Sequence, residues 1–223
     1  MGSLDNDYLV KTRGICNTDV TFCDHSETIT TSINYEGCVL TATADFYVCS
    51  GAIRMILRDP VWTYSNSTAC KKLKRKMADA YITPYIGTQL ALDIYNDIHR
   101  EVVNALQESF LSRKQEKNWE VYYSCYSSPA YPCQSYSYNN LIYLTMSDCI
   151  SLCVESIDMD GLPNLATVKC GVGCCERVNR FCFDSNGGYC LGPSTITQLG
   201  VCTSVPTNCL TSPVVCSAAC ERL

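Results

Sequence analysis

The sequence predicts an α+β protein: an antiparallel sheet with one long amphipathic helix across it, and a disulfide-rich C-terminal domain. Three observations carry this. Apolar residues between about 87 and 115 recur at helical spacing. Upstream, β-branched residues alternate with polar ones in runs punctuated by Gly and Pro. All 18 cysteines lie outside the stretch 71–124, so the helix is the one region built without covalent help.

Taken in order, residues 1–13 are polar and read as a flexible or docking arm, and 14–160 as the α+β domain. Ile29, Thr31, Ile33 and Tyr35 alternate with Thr30, Ser32 and Asn34, a strand that Glu36-Gly37 turns into the run from Cys38 to Ala44. Phe46–Cys49 and Ile53–Arg58 read as further strands, ended by Asp59-Pro60. The basic run Lys71–Lys76 is expected to open a short helix that closes near Ile82, ahead of Pro84.

In the long helix, Leu90, Ile94, Ile98, Val102, Leu106 and Phe110 form a stripe, widened by Ala91, Tyr95, Val103 and Leu111. Thr88 suits the N-cap, and Arg113, Lys114 and Lys117 suit the dipole at the other end. Asp93, Asn96, Asp97, Arg100, Asn104 and Glu108 are expected on the solvated side, with His99 as a surface residue. At 1.5 Å per residue such a helix runs roughly 43 Å and needs a partner surface along most of its length.

Beyond it, Asn118–Cys125 reads as a strand, and Tyr122, Tyr123, Tyr126, Tyr131, Tyr136 and Tyr138 lie among Ser, Asn and Pro. That composition suits a contact surface as well as a covering for a small sheet. Leu141–Thr145 and Cys149–Val154 read as strands or short helical turns. From 161 to 223 large apolar residues thin out while nine cysteines crowd between Cys170 and Cys220, so covalent links are expected to replace burial.

The cysteines are Cys16, Cys23, Cys38, Cys49, Cys70, Cys125, Cys133, Cys149, Cys153, Cys170, Cys174, Cys175, Cys182, Cys190, Cys202, Cys209, Cys216 and Cys220. No Cys-x-x-Cys occurs and there are only two histidines, so disulfides rather than zinc are expected, in an oxidising compartment. Five cysteines precede the helix and thirteen follow it. If all pair within the chain, an odd number of bridges must cross from one group to the other.

A net charge of −5 disfavours a nucleic-acid partner, and no apolar run reaches the ~18 residues that span a bilayer. Asn66-Ser67-Thr68 makes Asn66 a candidate glycan acceptor. Cys174 and Arg180 have the spacing of a phosphate-cradling cysteine loop without its glycines, and Asp158–Gly161 and Asp184–Gly188 have oxygens for Ca²⁺ without an EF-hand's closing Glu. No catalytic, cofactor or metal residue is therefore assigned. The expectation is a non-catalytic structural or adhesive subunit of an extracellular assembly, whose partners are other protein subunits, copies of itself included. A monomeric secreted binding module is the alternative, and a secreted hydrolase a more distant third.

Overall fold

A computed structural model describes residues 19–49, 52–82, 87–116, 140–157, 163–183, 188–202, 216 and 219–223. Strands β1 (Asp24–Tyr35), β2 (Cys38–Cys49), β3 (Ala52–Leu57) and β4 (Thr63–Tyr64) come first. Helices α1 (Thr68–Ile82) and α2 (Gly87–Glu116) follow, then β5 (Asn140–Ile157), β6 (Pro163–Phe183) and β7 (Tyr189–Val201). A 3-10 turn, Ala219–Arg222, closes the described chain.

The strands form one sheet ordered β1-β2-β3-β5-β6-β7, with β4 paired to β2 beyond the end of β3. Hairpin β1–β2 turns at Glu36 and Gly37, whose φ angles of 49° and 81° are those of a two-residue primed turn that matches strand twist. Such a turn favours glycine at its second position.

The α+β class therefore holds, with one correction. The sheet is mixed rather than antiparallel, because β3 runs parallel to β5, Ala52 facing Leu141 and Met55 facing Leu144. Both helices lie in that connection, and a crossover of this length returns the chain in its original direction where a tight turn cannot. Two helices accompany the sheet, α1 over the basic run and the longer α2, and they pack against each other. Within 161–223, β6 and β7 extend the same sheet, and Phe181, Phe183 and Cys175 belong to the common core.

Helix α2 sits within this curled sheet. Ala91, Leu92, Ile94, Ile98, Val102, Val103, Leu106, Phe110 and Leu111 are buried, and Phe110 stacks on Phe46 of β2 at 4.1 Å between ring centroids. Leu90 departs from the expected stripe at 50% exposure, and Leu92 takes its place in the core. Buried too are Asn96 and His99, expected on the wet side, along with Gln107 and the last-turn cation Lys114. The reason is geometric: α1, β1, the sheet and the 3-10 turn close on the helix from several directions. Between these buried faces a narrow stripe through Asp93, Asp97, Glu101, Asn104, Glu108 and Ser112 stays exposed.

Five bridges have both partners described: Cys23–Cys49, Cys38–Cys70, Cys149–Cys202, Cys170–Cys216 and Cys175–Cys220. Cys153, Cys174, Cys182 and Cys190 are also disulfide-bonded. The first two bridges use four of the five cysteines ahead of α2, which leaves Cys16, outside the described residues, as the one a crossing bridge would employ. Cys125, Cys133 and Cys209 also lie outside them.

Candidate functional site

The two edges of the sheet meet the same turn of α2. From β1, Thr31 accepts a hydrogen bond from Ser109 at 3.1 Å. From β7, Tyr189 is hydrogen-bonded to Ser112. Between these contacts an open groove of about 660 Å³ runs along β1, lined by Thr30, Thr31 and Ser32, by Ala105, Glu108, Ser109, Ser112 and Arg113 of α2, and by Tyr189. Its chemistry is that of hydroxyls, one carboxylate and one guanidinium. Burial, and then the Glu108 charge, push the Tyr189 phenol up, so Tyr189 stays protonated and able to donate. The groove's hydroxyls, carboxylate and guanidinium can hold a ligand through hydrogen bonds.

The outer face of the β1–β2 ladder is a row of small polar side chains. Thr30 meets Thr43 and Ser32 meets Thr41, each pair at 3.0 Å. Thr28 donates to Asp45, which is clasped by Arg58 through Nε at 2.8 Å and Nη2 at 2.7 Å, with His25 3.5 Å away. The Arg58 clasp, joined by Thr28, holds the Asp45 carboxyl down to about 2. Asp45 thus fastens three neighbouring strand segments from outside.

A second polar cluster is internal. His99, fully buried, donates from Nδ1 to the main-chain carbonyl of Arg222 at 2.8 Å, because a carbonyl can only accept. Its Nε2 is buried without a hydrogen-bond partner among the described residues, beside Trp62 and Tyr95. Burial first, then the Arg222 charge, pushes the imidazole down to about 3, so His99 is neutral across the physiological range. This holds the 3-10 turn on α2 and calls for no ligand. Between α2 and β6, Asn179 donates to Gln107, and Arg177 reaches both Asn179 and Asn104.

The sequence-based site residues are placed unevenly. Asn66 is exposed directly before α1, where Ser67 caps the helix by accepting from the Cys70 amide at 3.1 Å, so a glycan there would meet solvent. Tyr122, Tyr123, Tyr126, Tyr131, Tyr136 and Tyr138 lie outside the described residues, as do the Asn118–Cys125 strand, residues 1–13 and the Asp158–Gly161 and Asp184–Gly187 oxygens. Nothing is described of the Thr88 side chain. The sulfurs of Cys149, Cys202 and Cys216 lie within 4.8 Å of one another, but all three are in bridges and offer no thiolate to a metal. Lys71, Lys72, Lys74, Arg75 and Lys76 form the solvated face of α1, with Lys76 paired to Glu36.

Sequence reasoning missed the groove altogether. Its one legible sign is the Thr-Thr-Ser run in β1, and α2's contribution is visible only once the sheet has curled.

These features define the class: a disulfide-stapled α+β protein of an oxidising compartment, with no described helix long and apolar enough to cross a membrane. The chain matches no protein-family model, no curated protein and no solved structure.

Proposed function

We propose that this chain is a structural or adhesive subunit of an extracellular assembly, exported and held outside the cell, with other copies or other subunits as its partners. The observation that carries the reading is the set of large apolar side chains left uncovered on a cross-linked framework. Phe22 is 94% exposed and Ile157 69%, with Leu90 and Ile196 at 50% each. Covering such side chains removes apolar surface from water, which favours association where a partner fits them. The bridges supply the rigidity that a subunit outside the cell requires. Stapling together with uncovered contact residues suits a part of a larger body.

The test is the mass of the oxidised protein in solution across a concentration series, by light scattering or sedimentation. Concentration-dependent species above 24.7 kDa are expected. A monomer at every concentration, to about 100 μM, transfers the conclusion to a secreted binding module. The polar groove beside β1 favours that second reading and would be its ligand site.

A further inference from the structure

The subunit reading leaves open which surface joins the copies, and the outer edge of β1 answers it. Tyr35 and Cys38 flank a two-residue turn and so exchange hydrogen bonds. The alternation then turns the main chain of Ile33, Thr31 and Ile29 towards β2, and that of Asn34, Ser32, Thr30 and Thr28 towards the free edge. Four residues thus present four N–H and four C=O groups with no strand partner among the described residues.

Monomeric proteins shield such edges with charges, prolines or bulges. From Thr28 to Asn34 there is no charged residue, no Pro and no Gly, and the only irregularity in β1, between His25 and Glu27, lies outside the run. The opposite edge strand, β7, carries Gly192-Pro193.

We propose that β1 pairs antiparallel with β1 of a second copy of this chain, about a two-fold axis at Thr31 that sets Thr30 opposite the partner's Ser32. Thr28 then faces the partner's Asn34, so every outward main-chain group meets its complement and no charged strand residue faces another. The hydroxyl pairing of the β1–β2 ladder is repeated across the new junction.

Helix α2 runs antiparallel to β1, since Asp97 meets Tyr35, Ser109 meets Thr31 and Lys114 meets Glu27. With Ser109 beside Thr31, the axis passes close to Glu108, and Arg113 follows about 6 Å further along the helix. Each copy therefore brings one groove-lining Glu108 and one Arg113 to the junction, so the joined grooves carry both signs of charge. This deepens the assembly reading and rests on it.

Two double variants with the same exposed positions test both surface and register. Thr30→Lys with Ser32→Lys sets lysine against lysine twice across the axis. Thr30→Lys with Ser32→Glu sets lysine against glutamate twice. Each is first checked for unchanged circular dichroism and an unchanged non-reduced mass. Ser32→Pro is the third variant; it removes an edge amide without touching the β1–β2 ladder. The expected result is wild-type self-association, weakened at least tenfold in Thr30→Lys/Ser32→Lys and in Ser32→Pro, and retained in Thr30→Lys/Ser32→Glu. Association unchanged in all three variants overturns the β1 surface and leaves the subunit reading standing. Association lost equally in both lysine-bearing doubles overturns the register and with it the proposal. A wild-type monomer overturns the pairing and the self-assembling form of the subunit reading together.

Discussion

Lys114 is the residue whose removal most directly tests how α2 is held to β1. Its ammonium lies 3.5 Å from Glu27 with side-chain exposures of 4% and 15%, and 5.2 Å from the centroid of the Phe110 ring. Lys114→Met keeps the aliphatic stem and deletes the charge. Breaking a buried pair from one side typically costs about 3–5 kcal/mol, chiefly for the charge left behind. Glu27 retains some access to water, which points to the lower end, while loss of the cation over Phe110 adds about 0.5–2 kcal/mol. About 4 kcal/mol is expected in all. Lys114→Met combined with Glu27→Gln removes both charges and should return to within about 1 kcal/mol of wild type. Urea unfolding of the four proteins, with bridges intact, gives the cycle. A single variant within about 0.5 kcal/mol of wild type, or a double whose cost is the sum of the singles, would refute the reasoning.

Other predictions follow from the polar clusters and the bridges. His99 has a folded pKa of about 3, depressed from 6.5, so the unfolded chain takes up its proton first on acidification. The His99 contribution is whole above pH ~6.5 and declines as pH falls towards 3; His99→Leu should flatten urea midpoints over that window, and an unchanged slope would contradict it. Asp45, depressed to about 2, contributes stability above its unfolded pKa near 4 and loses it as pH falls through 2. Asp45→Asn should therefore be less stable than wild type at pH 6 and converge with it near pH 2, as thermal melts at the two values will show. Removing the Cys38–Cys70 bridge with paired alanines frees a loop of sequence separation 32, worth about 3–4 kcal/mol, measurable as a lower urea midpoint.

Much of the N-terminal half was legible because its signals are local. Alternation through Ile29, Thr31 and Ile33 with Glu36-Gly37 specifies a hairpin, and the apolar spacing from Ala91 to Leu111 specifies a helix. The strands after α2 were harder for a physical reason. In β6 the buried side of the alternation passes through Cys175, Asn179, Phe181 and Phe183, so cysteine and a paired amide stand where hydropathy looks for Val or Ile. In β5 the polar residues Thr145, Ser147 and Asp148 interrupt the apolar pattern, and one strand of 18 residues reads as two fragments. The groove was invisible for another reason: Thr31, Ser109 and Tyr189 are remote in sequence and share a site only through curvature. Burial of His99 and Lys114 follows from the same wrapping.

The parallel pair β3–β5 also bears on time. Strands β1 to β3 are neighbours in sequence, and so are β5 to β7, so each half can zip at the pace of local contacts. Their join is different, because Ala52 must find Leu141 across the whole stretch of chain that carries both helices. Closing a loop of that size costs little more free energy than closing one half as long, yet the search is slow. The described bridges all close within one half or the other, so oxidation can lock each half before they meet. Assembly of the sheet then resembles the docking of two finished pieces, and until it occurs the open sides of β3 and β5 are the places where a newly made chain is most exposed to pairing with the wrong neighbour.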